Sequence, residues 1–198
     1  VCALVTDAGT PAISDPGQEL VALCAENGVT VQAIPGCCAA IAALAVSGLD
    51  TRRFTFEGFL PAGKQERRAA LAEISGEPRT MVFHEAPHRL RQTLADMLEV
   101  LGDRRAALCR ELTKLHEETV RTTLAEAAAY YRDNEPRGEY VLVVAGREKQ
   151  DSAMTLEEGI ALVQKLRDEG MKLKEAARRV ADDTGLSRNA LYDGALRG

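Results

Sequence analysis

The sequence predicts an α/β protein that is followed by a small all-helical domain. Three observations support this class. Apolar or β-branched runs alternate with helical runs from residue 2 to residue 146, which indicates a largely parallel or mixed sheet covered by helices. From Leu156 onward the pattern is helical throughout. The composition, 45% hydrophobic and 28% charged, is ordinary for a globular chain of 198 residues.

Two strand–helix pairs are predicted in the first quarter of the chain. Each apolar run precedes a helical run that ends at a glycine, the residue most often found just beyond a helix. A domain boundary is expected near residues 47–53, so residues 1–50 are assigned to a first α/β domain. The predicted elements are a strand at 2–6, a helix at 15–28, a strand at 29–35 and a helix at 37–48.

Residues 51–147 are predicted to form a second α/β domain. It begins with a β-rich run that breaks at Pro61. Later, the spacing of Leu90, Leu94 and Leu101 is typical of an amphipathic helix. The remaining predicted elements are helices at 64–76, 87–101 and 123–134, and strands at 80–84, 105–112 and 139–146.

The last part of the chain is predicted to be a polar linker, residues 148–155, and a helical domain, residues 156–198. Ala181, Gly185 and Leu191 have the spacing of a helix-turn-helix, with Gly185 at the turn. Ser187 is expected to cap the second helix. The tail's basic side chains are candidates for phosphate contacts, although a plain packing hairpin explains the pattern equally well. These candidates are Arg178, Arg179 and Arg188.

Composition restricts the function classes. The net charge is −5, so no overall basic field favours nucleic-acid binding, and any RNA contact must come from local patches. No apolar run is long enough to cross a membrane, and no signal peptide is recognisable. The five cysteines are expected to be reduced and mostly buried, as in a cytoplasmic protein. The chain opens on a strand pattern without an initiator Met, so we expect further sequence upstream.

His84, Glu85 and His88 form the pattern H-E-x-x-H, which binds Zn²⁺ when it lies within one helix. Pro87 stands between the two histidines, where it would break a helix. The apolar run before it predicts a strand, and proline is favoured at the first helical position. We therefore predict a strand, a turn and a helix here, with no bound metal.

Two loops rich in small residues follow the first two predicted strands. TDAGTPAISDPG, residues 6–17, concentrates turn formers and hydroxyls, and IPGCCAA places Gly36 where a backbone can approach closely. Ligands bind at the carboxyl ends of strands in open α/β sheets, so the two loops are expected to form a pocket for a flat or extended ligand. Alternatively, the first loop is an elaborate turn with a helix cap at Ser14 or Asp15, and Cys38 is only a small packing residue.

A charged stretch, CRELTKLHEE, spans residues 109–118. A solvated loop is the ordinary explanation for such a run. Beside Glu85, His88 and Arg89, however, it would place both signs of charge around one cleft.

Several long motifs, in this order, resemble one family of enzymes. They are VTDAGTPAISDPG, IPGCCAAIAALAVSGL, FTFEGFLP, FHEAPHRL, CRELTKLHEETVRTTL and RGEYVLVVAG. They are similar to the tetrapyrrole-methylase-like superfamily of S-adenosylmethionine (SAM) methyltransferases. Within it, they resemble the bacterial enzymes that methylate the ribose 2′-OH of a cytidine in small-subunit (16S) ribosomal RNA. The resemblance is dense over residues 1–147 and extends into the tail.

The resemblance implies two α/β domains, first with a parallel and then with a mixed sheet, with SAM in the cleft between them, and a homodimer. It implies cofactor contacts from both loops and from the strand ends. These residues are Asp7, Ala8, Gly9, Thr10, Pro11, Ile13, Pro35, Gly36, Cys38, Ala39, Phe83, Leu112, Glu139, Tyr140 and Val141. The sequence departs from the family in two ways. The family normally has Pro-Ser where Cys37-Cys38 stand, and its first strand with a Gly-rich loop is not found in this sequence.

Methyl transfer to a ribose hydroxyl benefits from a general base, and the candidates by residue type are Glu85, His88 and Glu111. The candidates for phosphate contacts near the cleft are Arg89, Arg110 and Lys114. Two other functions stay open: a precorrin-type tetrapyrrole C-methyltransferase, and a nucleic-acid-binding regulator built on the helical tail. The basic tail favours RNA over a tetrapyrrole, and SAM binding would exclude the regulator.

Overall fold

The computed structural model describes residues 1–148 and 154–197, which separate into two compact units on either side of residue 149. The first unit contains α1 (Gln18–Glu26), α2 (Ala39–Val46), β1 (Phe54–Phe59), α3 (Lys64–Glu73), β2 (Thr80–Glu85), α4 (Pro87–Leu101), β3 (Arg105–Arg110), β4 (Glu118–Thr123), α5 (Leu124–Asp133) and β5 (Tyr140–Val144). The second contains α6 (Leu156–Asp168), α7 (Leu173–Thr184) and α8 (Arg188–Arg197). The predicted linker falls largely outside the described residues.

The five strands form one mixed sheet in the order β1-β2-β5-β3-β4. β1 and β2 are parallel, whereas β5 is antiparallel to both β2 and β3, and β4 is antiparallel to β3. The mixed sheet predicted for the second domain is therefore confirmed. β4 was not predicted, because its sequence ETVRTT has no apolar alternation and the strand is paired on one side only.

The sheet has a core on each face. On one face, α3, α4 and α5 cover the larger core, in which Phe83, Leu94 and Leu142 are almost completely buried. On the other face, α2 packs across β2 and β5 with its alanines and Leu44 against Val82 and Val143. Because side chains alternate along a strand, these two cores fix the direction in which each residue of the site points.

The strands predicted at residues 2–6 and 29–35 do not form, and this is the main correction to the predicted fold. Neither segment pairs with a neighbouring strand among the described residues. A β-branched run forms a strand only when its backbone N–H and C=O groups pair with a neighbouring strand. Here Val5 is 80% exposed and Ile34 is 83% exposed. Residues 1–148 form a single compact unit, so a division at residue 50 stays a prediction.

The second unit is a three-helix core, as the tail pattern predicted. Val163 of α6, Val180 of α7 and Leu191 of α8 are buried together. Gly185 ends α7 in the left-handed conformation, with φ 75°, and the backbone N–H of Ala190 donates to Ser187 Oγ at 3.4 Å. No helix among the described residues is both long and apolar enough to cross a membrane.

Candidate functional site

The predicted site residues of the first unit gather at one edge of the sheet. β1, β2 and β3 all end at this edge, and β5 begins there because it runs antiparallel to β2 and β3. We call residues 6–17 loop 1, residues 35–38 loop 2 and residues 111–117 loop 3. Loop 1 reaches β1, where Ser14 Oγ lies 3.7 Å from the point that a Cβ on Gly58 would occupy.

Loops 1 and 2 are joined by a hydrogen bond, as expected of two loops that form one pocket. Thr10 Oγ1 donates to the carbonyl of Cys37 at 3.0 Å. Gly9 faces the same carbonyl and Gly36 faces Thr10 Oγ1, so small residues line the contact. Ala12 and Ser14 both adopt positive φ, 66° and 57°, a strained conformation for non-glycine residues that is frequent at ligand sites.

The proposed cofactor residues of the loops are mostly accessible. Thr10, Pro11 and Cys38 are half-buried, and the remaining ones are exposed: Asp7, Ala8, Gly9, Ile13, Pro35, Gly36 and Ala39. The helix cap at Ser14 or Asp15, the alternative explanation of loop 1, does not form, since Gly17 stands at that position and Asp15 instead accepts from Thr6 Oγ1 at 2.9 Å. Loop 1 is therefore tied together internally rather than onto its helix.

The strand residues divide between the two faces of the sheet. Val141 and Leu112 belong to the α2 face, toward the loops, whereas the side chains of Phe83 and Tyr140 lie in the opposite core. Phe83 and Tyr140 are 1% and 2% exposed, so their side chains are not available to a ligand on the loop side. Glu139 precedes β5 and is exposed.

The carboxylate of Glu85 is held by hydrogen bonds from residues at the start of α4 and within it. One carboxylate oxygen accepts the backbone N–H of Ala86 at 2.9 Å, and the other accepts from Thr93 Oγ1 at 2.5 Å. Its side chain is 1% exposed. A buried carboxylate with both oxygens occupied orders the strand-to-helix turn and is not available as a base.

His88 is exposed in the first turn of α4, which begins at Pro87 as predicted. His84 lies in β2 instead, so the two histidines do not share a helix face. The geometry that the H-E-x-x-H zinc site needs is absent here, and no group of three or more His, Cys, Asp or Glu suited to a metal occurs in the described part of the chain. Zinc-free protein stays a prediction.

Two guanidinium groups hold the turn that follows β1. Arg89, paired with Glu85 at 3.3 Å, donates to the carbonyl of Leu60 and to that of Pro61 at 3.2 Å. Arg67 donates to the carbonyl of Ala62 at 2.9 Å. Arg89, expected to contact phosphate, is thereby engaged within the protein.

A cluster of alternating charge connects loop 3 to β5. Lys114 Nζ lies 3.1 Å from carboxylate oxygens of both Glu111 and Glu139. The pKa of Glu111 is lowered by the backbone N–H of Glu139 and then by Lys114. Gly138 has φ 74°, and a Cβ there would lie 2.5 Å from Glu111 Cγ. Glu111 is thus held as a stable carboxylate, which makes it a weaker base.

Arg110 is half-buried and pairs with Glu118 at 3.0 Å, while its Nε has no hydrogen-bond partner among residues 1–148 and 154–197. In the second unit, Arg178, Arg179 and Arg188 are exposed, and Arg178 lies 3.7 Å from Asp182.

The thiols depart from expectation, because Cys109 alone is buried while Cys2 and Cys37 are exposed. The exposed Cys37 contributes its carbonyl to the contact between loops 1 and 2.

Sequence reasoning missed His84 as a site residue. Its ring lies edge-on to Phe56 and Phe59, with centroid distances of 5.2 and 5.4 Å, and its Nε2 is shielded, with no hydrogen-bond partner in the part of the chain that the structure describes. Burial lowers the pKa of His84, against the opposing effect of the carboxylates of Glu139 and Asp15. The signal was its position in β2, two residues from Val82, which places it on the loop side.

Comparisons with known proteins agree with the motifs. Residues 1–128 match the family model described as Tetrapyrrole (Corrin/Porphyrin) Methylases, and residues 153–198 match the model of the RsmI C-terminal HTH domain. The chain is 47% identical over 196 residues to the Ribosomal RNA small subunit methyltransferase I of Synechocystis sp., covering 98% of this chain and 70% of that protein. It is 45% identical over 199 residues to the protein of the same name from Escherichia coli O157:H7, covering 98% and 68%.

Solved structures show the same fold at lower identity. A cobalt precorrin-4 methyltransferase has a TM-score of 0.51 and 19% identity, covering 69% of this chain and 61% of that one. At this identity the similarity shows the fold alone.

Proposed function

The chain belongs to the tetrapyrrole methylase family, and within it to the ribosomal RNA small subunit methyltransferase I proteins; on this premise we propose that it transfers a methyl group from SAM to small-subunit ribosomal RNA. We further propose that the acceptor is the ribose 2′-OH of a cytidine. The observation that carries the proposal is the joined pair of small-residue loops at the carboxyl edge of the sheet, tied by the Thr10–Cys37 hydrogen bond.

The residues at this edge fit a cofactor with a flat base and an extended, charged chain. Loops 1 and 2 expose backbone groups beside glycines, and loop 2 continues into the alanines that begin α2. When bound, SAM supplies a methyl group made electrophilic by its sulfonium. Asp7 to Ile13 and Pro35 to Ala39 would hold it on the loop side, with Leu112 and Val141 below. Phe83 and Tyr140 would support the site from the opposite core, where their side chains are buried.

We assign the general base to His88. In the reaction the 2′-oxygen forms a bond to the methyl carbon, the sulfur–carbon bond breaks, and the hydroxyl proton must leave to a base. Glu85 is buried with both oxygens occupied, and Glu111 is held as a carboxylate of lowered pKa. His88 is exposed at the start of α4, just after β2 ends at the edge of the sheet that carries the loops.

The second unit is proposed to bind RNA through its exposed arginines, Arg178, Arg179 and Arg188. Of the cleft residues, Lys114 and Arg110 stay proposals for phosphate contacts, although both already have carboxylate partners. A homodimer and a cytoplasmic location also belong to the proposal. Five free thiols support a reducing compartment.

The experiment is methyl transfer from SAM carrying a labelled methyl group to purified small ribosomal subunits. We expect one labelled cytidine whose 3′ phosphodiester resists alkaline cleavage, because a 2′-O-methyl group removes the attacking hydroxyl. Label on a base, on protein, or only on an added tetrapyrrole would contradict the proposal. Replacing His88 with Gln should lower the transfer rate about 100-fold or more while SAM binding is retained.

A further inference from the structure

On strand β1 two aromatic side chains are exposed while the charged residue between them is half-buried, the reverse of the usual arrangement. Phe56 is 39% exposed and Phe59 is 52% exposed, whereas Glu57 between them is half-buried. β1 is an edge strand, and such strands usually present charge or proline outward. Two of the four phenylalanines of the chain are therefore largely exposed on an edge strand.

A β-bulge places both rings on one face. Phe56 pairs with Val82 and Gly58 pairs with Phe83, so Glu57 is an extra residue in β1. Gly58 makes the bulge possible with φ 62°. In a regular strand, the side chains of residues 56 and 59 would point to opposite faces of the sheet. Because Glu57 is an extra residue, both rings instead flank His84.

Hydrogen bonds hold the turn after Phe59, so the backbone that carries the two rings is fixed in position. The carbonyls of Leu60 and Pro61 accept from Arg89, and that of Ala62 accepts from Arg67. Loop 1 approaches Gly58, with Ser14 Oγ 3.7 Å from the point that a Cβ on Gly58 would occupy. The aromatic group is thus continuous with the proposed cofactor loops.

The electrostatic surroundings favour an uncharged, hydrogen-bonding ligand. The carboxylates of Asp15 and Glu139 act on His84; Glu139 is paired with Lys114, so Asp15 is the carboxylate that disfavours a phosphate beside the ring. His84 Nε2 is shielded from solvent and has no partner within the described residues, so this ring contributes to the surface through its contacts with Phe56 and Phe59. A nucleobase is complementary to this setting, because it combines a flat face with a polar edge, and the amino group of cytosine donates to carboxylates.

We propose that Phe56, Phe59 and His84 form a stacking platform for an unpaired nucleobase of the RNA substrate. The inference rests on the proposed function and deepens it, because it names the surface that receives a base at the reactive site. Proteins that bind single-stranded RNA use exposed aromatic rings in this way, since every base has a face that can stack.

The test compares Phe59→Leu and Phe56→Leu with the parent full-length protein. Leucine keeps the apolar bulk but removes the ring. We expect affinity for small ribosomal subunits to fall about 5- to 150-fold per ring, from the usual strength of base–aromatic stacking. Phe59→Trp should retain affinity, and SAM affinity should be unchanged in all variants. Tyr130→Leu, at an equally exposed aromatic on α5, is the matched control and should have no effect.

Photocrosslinking provides a readout that does not depend on methyl transfer. A single-stranded RNA carrying 5-iodocytidine should crosslink to the peptide containing residues 54–59, and Phe59→Leu should abolish the adduct. If Phe59→Leu and Phe56→Leu bind within twofold of the parent, or if they only change the oligomeric state in sedimentation, the platform is refuted. A parent that crosslinks but transfers no methyl group would instead refute the proposed function.

Discussion

Two ion pairs between α3 and α4 differ in burial and should differ strongly in their effect on stability. Arg67 and Asp96 lie 2.6 Å apart with side chains 2% and 6% exposed. One residue further along α3, Arg68 pairs with Glu99, and these side chains are 37% and 57% exposed. We predict that Asp96→Ala is severely destabilising and that Glu99→Ala is nearly neutral.

The magnitude follows from what each variant leaves behind. Asp96→Ala strands the buried guanidinium of Arg67, whose remaining acceptor is chiefly the carbonyl of Ala62 at 2.9 Å. Breaking a buried pair in this way costs about 3–5 kcal/mol. Glu99→Ala removes a solvated pair worth about 0.2–1 kcal/mol. For a protein of this size, about 2–4 °C in melting temperature corresponds to each kcal/mol, so Asp96→Ala should lose roughly 6–20 °C.

The assay is urea unfolding followed by far-UV circular dichroism, with amide hydrogen exchange in β2 and α4 to assign the transition to the first unit. Equal effects of Asp96→Ala and Glu99→Ala would refute the reasoning. The double variant Arg67→Met, Asp96→Leu should recover most of the lost stability, because it leaves no buried charge. If it is no more stable than Asp96→Ala alone, cavity formation rather than charge burial explains the loss.

Further outcomes are expected for the metal, the cofactor loops, the tail and His84. Metal analysis of the purified protein should find no stoichiometric zinc; one tightly bound zinc per chain would contradict the strand–turn–helix interpretation of residues 84–88. Gly9→Trp or Ala39→Trp should abolish SAM binding in calorimetry with little loss of folding, and unchanged affinity would place the pocket elsewhere. Reversing Arg178, Arg179 and Arg188 to Glu should weaken ribosomal-subunit binding and reduce its salt slope by about one unit per lost phosphate contact, with SAM binding unchanged; unaltered affinity and slope would make the tail a packing element. Because the pKa of folded His84 is below its usual 6.5, the unfolded chain takes up its proton first, so stability should fall as the pH drops through about 6.5. His84→Gln should make unfolding free energies between pH 7 and 5 less dependent on pH, and an unchanged dependence would assign it to other groups.

The sequence predicted the second half of the α/β unit and the helical unit well because their patterns are local. Pro87 and Gly185 mark element boundaries through their own backbone chemistry, and α4 carries its leucines at helical spacing. The strands at 2–6 and 29–35 failed for the opposite reason. A strand requires pairing with a neighbour, which no property of its own residues supplies.

The location of the candidate site stays a prediction, and the sequence could not show which of its side chains are available. Loop patterns identify the carboxyl edge of the sheet, whereas availability depends on long-range partners. Glu85 and Arg89 have suitable residue types for catalysis and phosphate binding, but Thr93 and the carbonyls of Leu60 and Pro61 occupy them. His84 was overlooked because its importance comes from ring contacts across β1, which depend on the bulge.

The bulge in β1 also determines how this strand tolerates changes in length. Glu57 is the residue without a register partner, so removing its codon would leave Phe56, Gly58 and Phe59 opposite Val82, Phe83 and His84 as before. Removing Thr55 instead would shift Phe54 by one position and turn its side chain to the other face. We therefore expect evolutionary changes in the length of this strand to occur mainly at position 57. Deleting one residue there leaves every neighbouring side chain on its original face of the sheet.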